Sequence, residues 1–226
     1  MLRVEDKYCC SEQELTLLQR RLEVVLAADT NQKSPLGYKV TSVYFDDYRD
    51  SKLGDNISGV SHRNKYRIRI YDDSFDTIKL EVKYKAYNRV AKLGRTITYE
   101  EMAQLLRGRK IPDSNPGPDN PVTLFNLAIE QDMLRPKVIV EYDRKAFIYP
   151  AGNVRITLDR NVRRSRDLEK FLEGNKGVYS PVPGTDRVLE VKYDSFLPDF
   201  VAGLLETGNL NQSSYSKYGM SRIMEG

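Results

Sequence analysis

Residues 65–71 of the sequence are KYRIRIY, and every second residue of this stretch is a lysine or an arginine until the closing tyrosine. Successive side chains of a β-strand point to opposite faces of a sheet. The three cations Lys65, Arg67 and Arg69 therefore share one face of a predicted strand, and the tyrosine and isoleucines between them share the other. Such a strand predicts a sheet with an apolar core on one side and a charged surface on the other.

Four further stretches have the same alternation of apolar and charged residues. They are residues 2–8 (LRVEDKY), 79–85 (KLEVKYK), 154–159 (VRITLD) and 189–194 (LEVKYD). One such strand is typical of an ordinary half-solvated antiparallel sheet. Five in one chain favour another arrangement: if the sheet closes with its apolar face packed outward against helices, the charged faces line an interior tunnel.

The rest of the chain predicts an antiparallel α+β fold. Strands are expected at residues 2–8, 38–45, 65–71, 79–85, 91–98, 137–147, 154–161 and 187–194. Capping boxes at residues 11–14 and 98–101 begin helices to about Ala28 and Leu106, and Asn120-Pro121 begins a third. Shorter helices are expected at residues 167–172, 198–205 and 214–224, and residues 46–59 are expected to be a loop. We expect one domain, residues 1–226, of about eight strands with peripheral helices.

Composition excludes several classes of protein. Of the 226 residues 40% are hydrophobic and 30% charged, which argues against wholesale disorder, and the apolar runs are too short to cross a bilayer. No secretory signal is expected. The adjacent Cys9 and Cys10 cannot form an unstrained disulfide, which indicates a reducing, cytoplasmic location. The single histidine, His62, excludes a His-rich metal site.

The net charge of +4 does not by itself imply a nucleic acid partner. Binding of single strands needs aromatic side chains beside the cations, whereas the alternation puts the tyrosines mainly on the opposite faces. A tunnel of many cations and few carboxylates instead suits a polyanion held with a divalent metal, because arginine and lysine bind phosphate oxygens and carboxylates bind Mg²⁺ or Mn²⁺. Transfer of a phosphoryl group needs mainly positioning and charge neutralisation, so a catalytic histidine is unnecessary.

Seven motifs, in this order, resemble the VTC domain, named after the vacuolar transporter chaperone complex whose catalytic subunit makes polyphosphate. They are EDKY (5–8), SVYFD (42–46), KYRIRIY (65–71), EVKYK (81–85), EYDRKAF (141–147), RITLD (155–159) and EVKY (190–193). The resemblance extends from Arg3 to about Lys217. It implies the fold of the triphosphate tunnel metalloenzymes, a closed antiparallel eight-stranded β-barrel with a charged interior.

The same resemblance implies roles for individual residues. The catalytic phosphate contacts would be Lys7, Arg67, Arg69, Lys83, Arg144 and Arg155. Lys92 and Lys217 would bind substrate, and Glu190 would bind the metal, with Glu5 and Glu81 as the next candidates. The chain departs from the catalytic members at Ser214, where they have a second C-terminal lysine, and Arg63 is an uncertain counterpart of an additional upstream arginine.

The resemblance implies a polyphosphate polymerase that transfers the terminal phosphoryl group of ATP to a growing polyphosphate chain with Mn²⁺ or Mg²⁺. Two alternatives stay open at this point: a metal-dependent triphosphatase, and a non-catalytic module that binds polyphosphate or inositol polyphosphate. ATP and polyphosphate are the expected partners, with no nucleic acid and no membrane insertion by the chain itself. A membrane-protein partner is left open.

Overall fold

The computed structural model of the protein describes residues 3–32, 34–86, 89–182, 187–208, 210–213 and 215–223. Its eight long strands are β1 (Val4–Cys9), β3 (Tyr38–Asp46), β4 (His62–Tyr71), β5 (Ser74–Ala86), β6 (Arg89–Ile97), β7 (Arg135–Tyr149), β8 (Val154–Ser165) and β10 (Val188–Tyr193). Three two-residue strands are β2 (Ala27–Ala28), β9 (Ser180–Pro181) and β11 (Asn211–Gln212). Each long strand overlaps one of the eight strands expected from the sequence.

Seven α-helices accompany the strands in this part of the chain. They are α1 (Glu12–Val25), α2 (Ser51–Ile57), α3 (Tyr99–Leu106), α4 (Pro121–Gln131), α5 (Leu168–Leu172), α6 (Asp199–Leu205) and α7 (Lys217–Ile223). The predicted capping boxes at Ser11 and Thr98 both form. Helix α1 ends earlier than expected, because Ala27 and Ala28 pair with β7 as strand β2. None of the helices in the described ranges is long and apolar enough to cross a membrane.

The prediction of an uninterrupted loop over residues 46–59 is wrong, because α2 lies within it. Its N-cap residue, Asp50, makes no side-chain capping hydrogen bond. Instead, the buried carboxylate of Asp46 accepts hydrogen bonds from the amide groups of Lys52 and Leu53 at 3.0 and 2.9 Å. Tyr218 of α7 also donates its hydroxyl hydrogen to Asp46. A tertiary contact therefore supports this short helix.

The sheet is antiparallel and strongly curled, in the order β11-β1-β10-β8-β7-β3-β4-β5-β6. The expectation of a closed barrel is wrong: among the described residues no backbone pairing joins the β6 end of the sheet to the β11 end, so the sheet is an open half-barrel. Side chains cross the gap instead, with Lys83 of β5 at 3.0 Å from Glu5 of β1. Lys7 of β1 and Lys83 of β5 also face each other across this gap, and their repulsion opposes closer approach of the strands.

The convex face of the sheet is apolar and carries most of the helices, as the alternation predicts. Helices α3, α4 and α5 cover one cluster, in which Phe125 packs edge-on against Tyr66 with ring centroids 5.1 Å apart. Helices α1 and α6 cover the other, where leucines of α1 meet Ile156 and Val191. Burial of these side chains supplies the main hydrophobic stabilisation of the sheet, and it leaves the charged faces on the concave side.

Helix α7 lies on the concave side. Its Tyr218 stacks on Tyr44 of β3 with ring centroids 5.3 Å apart, inside a third apolar cluster that includes Val138 and Val140 of β7. Gly219 of α7 is tightly packed, since a Cβ atom there would lie 2.8 Å from the Asn56 side chain of α2. The helix therefore fills one end of the half-barrel and leaves the charged remainder open.

Candidate functional site

The concave side of the half-barrel contains a cavity of about 1010 Å³. Eleven lysine and arginine side chains and three carboxylates line it, a formal excess of eight cationic side chains among the lining residues. The cations are Arg3, Lys7, Arg63, Lys65, Arg67, Arg69, Lys83, Lys85, Arg144, Lys192 and Lys217. Convergent charge of one sign in a recess of low dielectric creates a strong local potential. The cavity is therefore built to attract a polyanion.

The structure brings most of the predicted site residues to this cavity. Those in its lining are Lys7, Arg67, Arg69, Lys83, Arg144, Lys217 and Glu190. These residues lie on elements that are distant in the chain. On each strand they occupy alternate positions that point to the concave face, so their side chains converge. The sequence analysis placed Lys65 on the same charged face but gave it no role, and the structure adds it to the lining.

Strand β4 supplies the arginine pair at the centre of the cavity wall. Arg67 donates from Nε to Glu81 Oε2 at 2.5 Å. Arg69 donates to Ser42 Oγ at 3.1 Å and to the hydroxyl of Tyr142 at 3.4 Å. Burial would raise the pKa of Glu81, but Arg67 and Arg69 hold it well below the ordinary value. Glu81 therefore stays ionised and orients Arg67.

A second group of charges lies where β1 and β10 face β5. Glu5 accepts from Lys7 at 2.9 Å and from Lys83 at 3.0 Å, and Lys192 contacts Glu190. Although burial opposes ionisation, Lys7 and the neighbouring lysines lower the pKa of Glu5 to about 2. Burial lowers the pKa of Lys83 to about 8, and Glu5 limits that fall. The carboxylate of Glu5 is therefore anionic at neutral pH.

Glu190 fits the metal-binding role that the resemblance implies. Burial would raise its pKa, but Lys192, Lys7 and Arg144 hold it well below the ordinary value, so the carboxylate is charged. Thr157 is its partner on β8, and the Thr157 hydroxyl is buried without a hydrogen-bond partner among the described residues. Among the residues that the structure describes, no group of three or more His, Cys, Asp or Glu side chains could hold a metal ion. One or two carboxylates completed by substrate phosphate oxygens are the usual site for Mg²⁺.

A buried ion network that the sequence analysis did not assign joins β7, β8 and α7. Asp159 is fully buried and accepts from Arg144 at 2.7 and 2.8 Å. Lys217, the first residue of α7, lies 2.6 Å from the same carboxylate and 4.7 Å from the centre of the Tyr142 ring. The alternation of residues 155, 157 and 159 already placed Asp159 on the charged face, but its two partners lie on other elements.

Two predicted site residues lie outside the cavity lining. Arg155 shares the concave face, but its guanidinium donates to Asp29 at 2.7 Å and to the hydroxyl of Tyr38 at 3.1 Å. Lys92 on β6 is half-exposed and contacts Oε1 of Glu81, whereas Arg67 contacts Oε2. The departure at Ser214 lies outside the described residues. Arg155 thus fixes the loop before β3, and Lys92 adds charge at the open edge of the sheet.

Comparison with known proteins places the chain in a family. The sequence model described as the VTC domain matches residues 2–224. The chain therefore belongs to the VTC domain family. No curated protein sequence matches it significantly.

Solved structures with low sequence identity share the fold. A Hippeastrum protein, HpAC1, provisionally assigned as an adenylyl cyclase and described as having a dominant triphosphatase activity, is 14% identical with a TM-score of 0.57. That match covers 99% of this chain and 96% of HpAC1. A Bacillus halodurans protein provisionally assigned as an adenylate cyclase is 13% identical with a TM-score of 0.51, over 90% of this chain and 87% of that one. At these identities the likeness concerns the fold alone.

The charge of the cavity predicts a large thermal response to polyanions. Tripolyphosphate at about a hundred times its Kd should stabilise the fold by about 2.7 kcal/mol, which raises the Tm of a domain of this size by roughly 5–10 °C. Thermal scans with tripolyphosphate, with and without Mn²⁺, measure the shift against sodium chloride at equal ionic strength. A Tm unchanged by tripolyphosphate and by longer chains would contradict a polyanion site.

Proposed function

We propose that the chain is a polyphosphate polymerase, which transfers the terminal phosphoryl group of ATP to the end of a polyphosphate chain. One observation carries the proposal: eleven cationic side chains and only three carboxylates line a cavity of about 1010 Å³. An elongated anion of repeating phosphates neutralises such a surface better than a small anion does. Family membership supports the same conclusion. We infer that residues 1–226 act as a single domain and that a membrane-protein partner is compatible with this role.

In the proposed reaction the bond between the β–γ bridging oxygen and the γ-phosphorus of ATP breaks. A terminal oxygen of polyphosphate bonds to that phosphorus, and ADP leaves. We assign Lys7, Arg67, Arg69, Lys83 and Arg144 to the phosphate oxygens, because all five line the cavity. Fixed cations stabilise the charge of the transferring group without reorganisation, and they hold donor and acceptor in line. Glu190, with Glu5 beside it, would hold a Mg²⁺ or Mn²⁺ ion that neutralises phosphate oxygens.

Lys217 is proposed as a further substrate contact, because it begins α7 at the cavity wall. For Lys92 we propose a contact with the substrate at the open edge of the sheet. For Arg155 the ion pair with Asp29 favours a structural role over the catalytic one that the resemblance implies.

The deciding experiment is incubation of the protein with ATP and Mn²⁺ or Mg²⁺, followed by separate assays for polyphosphate, free phosphate and ADP. Polyphosphate and ADP in matching amounts are expected. Free phosphate and ADP without polyphosphate would establish a triphosphatase, because water is then the acceptor. Tight binding of polyphosphate without turnover of ATP would establish a binding module.

Arg67→Ala should weaken both polyphosphate binding and turnover by roughly ten- to a hundredfold, the effect expected from losing one charge-assisted contact. Glu81 keeps its contact with Lys92, so the fold should survive. Titration with tripolyphosphate and initial rates with ATP measure the two effects. The matched control is Arg160→Ala, which removes an arginine paired with Glu12 at 3.2 Å on the outside of the barrel. Equal losses in both variants would contradict the assignment of Arg67.

A further inference from the structure

The cations of the cavity fall into two sets. Most have a carboxylate of their own: Lys7 and Lys83 share Glu5, and Arg67 pairs with Glu81. Four lining cations differ, because no carboxylate of the described residues forms an ion pair with them: Lys65, Arg69, Arg63 and Lys85. Arg63 and Lys85 lie nearer to solvent, so Lys65 and Arg69 are the two buried members of this set. An incoming anion gains most from cations of the second set, since no internal ion pair has to be broken for them.

Lys65 lies among other cations. Lys7 faces it from β1 and Lys83 from β5, while Arg63 and Arg67 flank it on β4. The hydrogen bond that Lys65 makes is with the hydroxyl oxygen of Ser216, at 2.8 Å, in the segment that leads into α7.

Two carboxylates of the cavity lining, Glu5 on β1 and Glu190 on β10, are engaged by other lysines. Glu5 is held by Lys7 at 2.9 Å and by Lys83 at 3.0 Å. Glu190 is held by Lys192. Among the described residues, the Ser216 hydroxyl is thus the only polar group in contact with the Lys65 amine, beside four neighbouring positive charges. The charged form of Lys65 is therefore energetically unfavourable at this position.

Burial, followed by repulsion from these four cations, lowers the pKa of Lys65 well below the ordinary value. Arg69 lacks a carboxylate too, but a guanidinium does not lose its proton in proteins. The two residues are therefore not equivalent. Arg69 presents a permanent charge, whereas the charge of Lys65 depends on what occupies the cavity.

We propose that Lys65 is a phosphate-binding residue of the cavity whose amine takes up a proton when a polyanion binds. The proposal rests on the proposed function to the extent that a polyanion occupies the cavity. In the free protein the amine of Lys65 gives up its proton more readily than an ordinary lysine does, and its loss lessens the repulsion among the cations while the hydrogen bond with Ser216 remains. When phosphate oxygens enter, their negative charge favours the ammonium form, the amine takes one proton from the buffer, and the ammonium group donates to a phosphate oxygen.

The direction of the pH dependence follows from proton counting. The complex binds more protons than the free protein does, so affinity for a polyanion rises as the pH falls through the range between the free and bound pKa values of Lys65. A permanently charged residue at position 65 removes this dependence. Arginine supplies that charge, since its pKa lies above 12.

The experiment is calorimetric titration with sodium tripolyphosphate, without metal or nucleotide, in buffers of equal pH and different ionisation enthalpy. The buffer dependence of the heat gives the number of protons taken up. The wild type should take up protons at neutral to mildly alkaline pH. Lys65→Met should bind about tenfold more weakly and take up close to one proton fewer. Lys65→Arg should bind at least as tightly as the wild type while losing the same uptake, since its charge is permanent.

Lys110→Met is the control, because Lys110 is exposed and pairs with Glu130 at 3.0 Å on the outside of the molecule; it should match the wild type in affinity and proton uptake. Lys83 and tripolyphosphate itself can also take up protons, but both are present in the titrations of the wild type and of all three variants. The difference between proteins therefore reports on residue 65. Binding with equal proton uptake by the wild type and both Lys65 variants would overturn this inference and leave the proposed function intact. Absence of tripolyphosphate binding by the wild type would overturn both. If Lys65→Met does not fold, Lys65→Arg alone decides, because it either loses the uptake or keeps it.

Discussion

Glu190→Gln is expected to reduce the rate of ATP turnover by roughly two to four orders of magnitude, the range for loss of one preorganised charge-stabilising group, while polyphosphate binding persists. Glutamine keeps the size and hydrogen bonding of the side chain but removes the charge that would hold the metal. Lys192, Lys7 and Arg144 stay in place around residue 190, so the positive charge of the cavity increases. Affinity for polyphosphate should stay equal to the wild type or become tighter.

Initial rates with Mn²⁺ and titrations with tripolyphosphate separate the two effects. Glu141→Gln is the matched control, because Glu141 is equally buried and pairs with Arg163 at 2.7 Å but lies on the convex face. The control should lose stability and retain activity per folded molecule. Undiminished activity of Glu190→Gln would contradict its assignment and move the metal to Glu5 or Glu81.

The alternation along short strands was sufficient to predict which side chains share the concave face of the sheet. Along β4 the cations line the cavity while Tyr66, Ile68 and Ile70 enter the core beneath the helices. Because the two-residue period is a local property of a β-strand, it predicts the face of each side chain even when the order of the strands is unknown. It also placed Lys65 and Asp159 on the concave face, although neither was given a role.

Two features could not be predicted in the same way: whether the sheet closes into a barrel, and which side chain each charged residue contacts. Whether two edges pair depends on curl and on the side chains between them, which no local pattern encodes. Arg155 has the correct parity for the cavity, yet Asp29, more than a hundred residues away in the chain, engages its guanidinium. Helix α2 was missed for a similar reason, because the carboxylate that supports it belongs to Asp46 at the end of β3.

The network around Asp159 illustrates how an interior built for an anion remains folded without one. Arg144 and Lys217 are held by one fully buried carboxylate. Burial would raise the pKa of Asp159, but Arg144 and Lys217 hold it below the ordinary value. A carboxyl group whose pKa is lower in the folded than in the unfolded protein stabilises the fold at pH values above its unfolded-state pKa. This stabilisation is lost as the pH falls through its folded-state pKa. The network should therefore be intact at neutral pH.

Asp159→Asn should consequently lower the free energy of unfolding at neutral pH by about 3–5 kcal/mol, the usual cost of leaving buried charges without their partner. Urea unfolding measures this loss. Tripolyphosphate should then raise the stability of the variant by more than it raises that of the wild type, because phosphate oxygens replace the missing negative charge beside Arg144 and Lys217. The acid-dependent part of the wild-type stability should also shrink in the variant, since the group that titrates is absent.

Asp143→Asn provides the comparison, because Asp143 also belongs to β7–β8 pairing and accepts from Asn161 at 2.8 Å, but its side chain is on the convex face. It should cost little stability and leave the response to tripolyphosphate unchanged. A loss below about 1 kcal/mol in Asp159→Asn, or a response to tripolyphosphate no larger than in the wild type, would contradict this account. Either result would mean that Arg144 and Lys217 are neutralised by other groups, and that the anion gains nothing by taking the place of a carboxylate.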